Sequence, residues 1–202
     1  MRKDDVPSLE WQQHVVAQFS NLLLKVAQIR EKIEQNPEIK RPFPAKADIM
    51  WWRNHCLGSR RTSTNGDDGS SSDDAASEST EDADDNDNTA YKDNCNDTKG
   101  KPPLLSEVCT LMQTHIHKLL KYHTQWMNYL GFTDQSGVWV YALLCCIEKP
   151  LPAEICSTLR DLSRACSVAR LKLSPEDSLF QPLSLIICIV GRYFNQLDLV
   201  DE

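Results

Sequence analysis

Three closely spaced histidines, His115, His117 and His123, and eight cysteines are the side chains most suited to chemistry in this chain. A metal requires its ligands to converge on one point. On a helix His115 and His117 fall on different sides. His115 and His123 share a side but lie about 12 Å apart at 1.5 Å per residue, too far for one ion. No Cys-x-x-Cys pair is present. Cys109, Cys145, Cys146, Cys156, Cys166 and Cys188 sit among apolar neighbours, which raise a thiol's pKa and make it a poor nucleophile. Their spacing follows no disulfide framework, so they are expected to be reduced, buried small hydrophobes. No glycine-rich turn precedes a helix to cradle phosphate, and no paired carboxylates occupy an apolar context. No catalytic residue, cofactor or metal is expected, and the chain reads as a non-enzyme.

Five tryptophans and five tyrosines could stack bases, but a stacking platform comes with a basic groove. Only Arg60-Arg61 and the Lys99/Lys101 pair cluster, and both border an acidic stretch whose ends they neutralise. A processing factor that touches RNA directly is the alternative reading; direct nucleic-acid contact is not expected. Residues 137 to 199 hold no histidine and are rich in large apolar side chains, the composition of packing surface. A compact bundle has few interior positions for Trp126, Trp139, Tyr141, Tyr193 and Phe194 together. Most are expected in the core and some along a groove for an amphipathic partner helix.

Charge is distributed unevenly. Between Thr62 and Thr98 twelve Asp and Glu face the single Lys92, while the chain as a whole carries −7. The remainder is therefore mildly basic, at +4, too little without a patch or stripe to argue for nucleic acid. Residues 59–101 are low-complexity and cannot bury enough apolar area to offset their ordering entropy, so they are expected to be disordered. Within them Ser70, Ser71 and Ser79 each precede an acid by three residues, a pattern suited to acidophilic kinases and a candidate for phosphorylation. Met1 to Pro7 lacks the apolar core of a signal peptide, and the uninterrupted apolar runs, Leu185 to Val190 among them, are far short of a membrane span. No export and no membrane partner are expected.

The elements that would position these groups are all helical. Trp11, Val15, Phe19, Leu22, Val26, Ile29 and Ile33 recur every three or four residues, predicting a helix from about Ser8 to Ile33 ended by Asn36-Pro37. A short helix follows, opened by Asp48 and closed by Gly58, with Trp51 and Trp52 pointing about 100° apart. A long helical region spans Leu104 to Leu130, with a break allowed at Gln113-Thr114 and a stop at Gly131. Further helices are predicted from Thr133 to Glu148, stopped by Lys149-Pro150, from Pro152 through Cys166, and from Leu179 to Asn195. The last is apolar nearly all round and belongs at the centre. No strand pattern appears. The expected fold is all-α, a compact helical bundle of about five to seven helices with a long disordered acidic loop. It divides into 1–58, a long helix and a short Trp-containing helix packing on the body; 59–101, the acidic loop; and 102–202, a C-terminal helical bundle.

Five blocks stand in order along the chain: Pro7-Ser-Leu-Glu-Trp-Gln-Gln-His-Val-Val-Ala-Gln-Phe-Ser20, Trp52-x-x-x-Cys-Leu-Gly58, Pro102-Pro-Leu-Leu-Ser106, Trp139-x-Tyr-Ala-Leu-Leu-x-Cys-x-Glu-Lys-Pro-Leu151 and Arg192-Tyr-Phe-Asn-Gln-x-Asp-Leu-x-Asp-Glu202. In that order they resemble the second gemin, the survival-of-motor-neuron (SMN) interacting protein family. They are spread over the whole chain apart from the acidic stretch. The resemblance implies a non-enzymatic scaffold of the SMN complex that binds the N-terminal helix of SMN and holds Sm proteins ready for loading onto small nuclear RNA. It implies cytoplasmic and nuclear residence, nuclear bodies included, and contact with the D-type Sm pair through this domain. Carried over by position, the SMN-helix groove involves Val138, Trp139 and Ala142 with Phe19 of the first helix and Trp126. Family members often carry a basic residue after the glycine matching Gly137; Val138 stands there in this chain, which speaks against an ion pair to the SMN helix at that point. The family's N-terminal arm precedes the block at Pro7, where this chain starts. The expectation is that SMN binding survives while the grip on the Sm proteins held by that arm is weakened.

Overall fold

The computed structural model of the chain describes residues 6–36, 38, 39, 43, 44, 47–58 and 100–200. Ser70, Ser71 and Ser79 and nearly all of the expected acidic loop lie outside them. Among the described residues every regular element is helical: α1 (Leu9–Glu34), α2 (Ile49–Leu57), α3 (Leu105–Val108), α4 (Gln113–Leu130), α5 (Asp134–Leu144), α6 (Ala153–Arg170) and α7 (Phe180–Cys188). α7 widens into a π-helical turn, Ile189–Tyr193, and a 3-10 turn, Leu197–Leu199, follows.

Local chemistry sets several ends where the sequence puts them. Ser8 Oγ accepts the Trp11 N–H at 3.2 Å and Asp48 Oδ1 that of Trp51 at 2.7 Å, each satisfying one of the orphan donors of a first helical turn. Gly131 closes α4 at φ +82°, a conformation that disfavours any side chain.

Three boundaries differ from the sequence reading, and each has a tertiary cause. The region from Leu104 to Leu130 breaks at 109–112, just ahead of the expected position. There the carbonyls of Cys109 and Leu111 leave the helical ladder and accept from Arg30 Nη1 of α1, both at 3.2 Å. α5 stops at Leu144, short of Glu148. The Gln113 amide takes its place, with Nε2 donating to the Cys146 carbonyl at 2.8 Å and Oε1 accepting the Glu148 N–H at 3.3 Å. The final helix keeps α geometry only to Cys188, and the Phe194 N–H then reaches back to the Ile189 carbonyl at 3.2 Å in the wider turn.

Burial completes the bundle. α7 lies at its centre against α6, α5 and α1, with Leu183, Ile186 and Ile187 sealed. α4 packs its Ile116, Leu119 and Leu120 stripe towards α6 and α5, and α6 answers with Ile155, Leu159 and Leu162. α2 rests on α5, burying Trp52 and Cys56, so α1 and α2 share one apolar core with the later helices. Arg160 of α6 grips the Asp198 carboxylate with both guanidinium amines, at 2.8 and 2.5 Å, and ties down the C-terminal turn. Lys101 N–H donates to the His55 carbonyl at 2.8 Å, and Gly100 packs against the backbone of Cys56 and Leu57 at the end of α2.

Candidate helix-binding face

α5 is held by its inner face. Thr133 Oγ1 accepts the Ser136 N–H at 3.1 Å and starts the helix. Gly137 follows because a Cβ there would stand 2.7 Å from Cζ of Phe132, whose ring is tucked under the first turn. Trp139 is fully buried, its ring nearly parallel to His123 at 6.3 Å and edge-on to His55 at 5.8 Å. Its Nε1–H donates to the Lys101 carbonyl at 2.8 Å, and Gln135 Nε2 donates to the same oxygen at 2.8 Å. A buried indole thus finds the partner its N–H requires. With Trp139 anchored inward, helical geometry turns Val138, Tyr141 and Ala142 outward at i, i+3 and i+4. Val138 is 52% exposed, and Tyr141 and Ala142 are half-buried.

α1 supplies the opposite wall. Phe19 is 1% exposed and edge-on to three rings, Tyr193 at 5.0 Å, Tyr141 at 5.8 Å and Phe194 at 6.3 Å. This aromatic knot fastens α1 to both α5 and the π-helical turn. Beside it Val16, Ser20, Leu23 and Ala27 share one flank of α1 by helical period. Ser20 Oγ is satisfied on the Val16 carbonyl at 2.8 Å. Leu23, Val26 and Ala27 continue into a cleft of about 440 Å³, closed across by Cys145, Ile147 and Tyr193. Its rim is charged, with Arg30, Glu31, Glu34, Glu148 and Lys149. Arg30 Nη2 pairs with Glu148 at 2.8 Å, and Lys149 Nζ lies 4.0 Å above the Tyr193 ring. The Phe19–Tyr141 contact joins this flank of α1 to the outward stripe of α5 as an apolar seam, and the cleft beyond it is edged by charge.

The structure brings together only part of the residues singled out from sequence. Val138 and Ala142 lie on the open stripe. Phe19, Trp126 and Trp139 are buried, the last two around His123, which Trp126 meets edge-on at 4.9 Å. They support the seam from inside rather than lining it, because each ring already has protein neighbours. Tyr141, Tyr193, Leu23 and Ala27 complete the seam. The sequence signal for them was present in the broad apolar stripe of α1 and in the i, i+3, i+4 spacing that continues from Val138.

The chemical groups are mostly sealed. Ser136 Oγ and His123 Nδ1 stand 3.4 Å apart, a contact that in an open cleft would suggest nucleophile and base. Here His123 has no exposure, and burial pulls its pKa down to about 3, so the ring is neutral and out of a substrate's reach. Burial raises the thiols of Cys56, Cys145 and Cys166, the latter two to about 12. It also raises the Tyr141 phenol, with the neighbouring Cys145 adding to the effect. Among the described residues no group of three or more His, Cys, Asp or Glu side chains is placed to hold a metal ion, and no helix is long and apolar enough to cross a membrane.

The arrangement is that of an all-α domain with one hydrophobic core and an exposed apolar stripe on α5. Comparison with known proteins gives the lineage. The family described as "Survival motor neuron (SMN) interacting protein 1 (SIP1)" matches residues 2–197, and this chain belongs to that family. Gem-associated protein 2 of Mus musculus is 37% identical over 198 residues, covering 97% of this chain and 67% of that protein. The Xenopus laevis protein of the same name is 37% identical over 197 residues, covering 96% of this chain and 70% of its own length. The fold is similar to a chain in a solved structure titled "The 8S snRNP Assembly Intermediate", with a TM-score of 0.69 at 21% identity over 97% of this chain and 75% of that one.

Proposed function

We propose that this chain is a non-catalytic scaffold in the assembly of small nuclear ribonucleoproteins. In this reading it holds the N-terminal helix of SMN in the α1–α5 seam and presents other faces of the bundle to Sm proteins, the D-type pair among them. The work is done in the cytoplasm and in nuclear bodies. Membership in a family described by its interaction with SMN supports the partner, and the likeness to a chain of an snRNP assembly intermediate supports the setting. The observation that carries the proposal is the seam itself. Val138, Tyr141 and Ala142 repeat at the spacing by which one helix reads another, and Tyr141 meets Phe19 of α1, whose neighbouring flank is apolar in Val16, Leu23 and Ala27. A guest helix with an apolar stripe would cover Val138 and the half-buried tyrosines, and the charged rim would meet its polar edges.

A synthetic peptide of the SMN N-terminal helix tests this. A ligand at about a hundred times its Kd stabilises by about 2.7 kcal/mol. For a chain of this size that is a rise in Tm of about 5–10 °C. No shift at saturating peptide overturns the assignment. An RNA mobility shift whose affinity falls linearly with salt on logarithmic axes would favour direct RNA contact instead.

A further inference from the structure

The last helix closes on Phe194, not on a glycine as α4 does. Its final carbonyls are capped by side chains from elsewhere: Lys149 Nζ donates to that of Tyr193 and Gln196 Nε2 to that of Phe194, each at 3.3 Å. Gln196 is itself held, its Oε1 accepting from Arg160 Nη1 at 2.9 Å, while the same guanidinium forks onto Asp198. Asn195 makes the reversal at φ +59°, a conformation that asparagine tolerates better than most side chains. The chain then folds back until Val200 lies over Gly191, where a Cβ would collide with Cγ2 of Val200. Residues 195–200 therefore lie across the π-helical turn, Ile189–Tyr193, and are fastened to α6 at Arg160.

A π turn takes one more residue than an α turn, so the side chains that leave it point in a different direction from those of a continued α-helix. That difference decides where Tyr193 and Phe194 go. Both rings meet Phe19 of α1 edge-on, and Tyr193 enters the wall of the cleft between α1 and the end of α5. We propose that residues 195–200 are a conformational clasp that sets the helix-binding face. Closed, they hold the turn in π geometry and Tyr193 in the cleft wall; released, they let the turn relax towards α geometry and Tyr193 leaves it. Arg160, Gln196 and Asp198 are thus positioning residues that act through Tyr193 and do not line the cleft themselves. The consequence for binding rests on the SMN-helix reading of that face; the clasp itself does not. The fastening suits release. The Asp198 side chain is 58% exposed, an exposed ion pair adds little to global stability, and a segment held in this way opens locally while the core stays folded.

The test uses the full chain and a labelled SMN N-terminal helix peptide, at a temperature where each variant keeps its helical circular dichroism. Asp198→Asn should speed amide hydrogen exchange across 189–194 and leave that of α2 and α4 unchanged. It should also raise the peptide Kd by about fivefold, the weight of one well-formed exposed pair. Exchanging the charges, with Arg160→Asp and Asp198→Arg together, should restore both readouts. Gly191→Ala, which pushes Val200 away from the other side, should reproduce the Asp198→Asn result. The proposal is overturned if Asp198→Asn leaves exchange at 189–194 unchanged or quickens it equally throughout the bundle. It is overturned also if the turn opens while the Kd stays within about twofold of wild type. A wild-type chain that does not bind the peptide refutes the SMN reading of the face, and the exchange across 189–194 then decides the clasp by itself.

Discussion

Val138 and Trp139 are consecutive residues that face opposite ways, and replacing each should give opposite phenotypes. Consider Val138→Asp. The side chain is half-exposed and touches no buried polar group, so the folded chain should change by less than about 0.5 kcal/mol. A carboxylate in the early turns of α5 is also mildly favoured by the helix dipole. A guest helix covering this position would lose the contact of about half a valine, about 1 kcal/mol. It would also desolvate an unpaired carboxylate, at about 1–3 kcal/mol. Together this is about 2–4 kcal/mol, or a Kd raised by about thirtyfold to several hundredfold. Trp139→Ala empties a fully buried site and removes one of two donors on the Lys101 carbonyl, at about 3–5 kcal/mol of folding stability. The assays are urea unfolding for stability and fluorescence anisotropy of a labelled SMN helix peptide for affinity. The reasoning is refuted if Val138→Asp binds within twofold of wild type. It fails equally if Val138→Asp unfolds as readily as Trp139→Ala.

Further outcomes follow from single contacts. Gly137→Ala should lose about 1–3 kcal/mol in urea unfolding, since its methyl would meet the Phe132 ring at 2.7 Å, and unchanged stability would show that the ring moves aside freely. The buried His123, held to about 3 in the fold and near 6.5 when unfolded, makes the unfolded chain the better proton binder at low pH. Its contribution to stability is complete above about pH 6.5 and is lost as pH falls towards about 3, by at most about 1.4 kcal/mol per pH unit; His123→Leu should flatten that part of a stability–pH profile. Because Lys101 bonds the His55 carbonyl, residues 58 and 100 are neighbours, so replacing 59–99 by a short Gly-Ser linker should leave the helical circular dichroism and the SMN-peptide affinity unchanged. Loss of either would mean that the acidic stretch contributes to the body.

The helical class, the caps at Ser8, Asp48 and Gly131 and the central place of α7 were legible from sequence, because each rests on near neighbours along the chain. Apolar residues three and four apart commit a segment to one face, and a hydroxyl or carboxylate two or three residues upstream finds the free N–H groups by itself. The resemblance to the SMN-interacting family was likewise carried by ordered blocks of residues. The candidate face was legible only in part. Val138 and Trp139 stand side by side in the same block, and nothing in their order says which of them points out.

That choice belongs to the tertiary structure. The Lys101 carbonyl and the flat ring of His123 wait on one side of α5, so Trp139 turns inward and Val138 is left to the solvent. In the same way Arg30, distant in sequence, captures the carbonyls that break α3 from α4, and Gln113 ends α5 by bonding beyond it. Helical periodicity is a property of neighbours on the chain. Which face meets a partner depends on groups that only folding brings within hydrogen-bond reach.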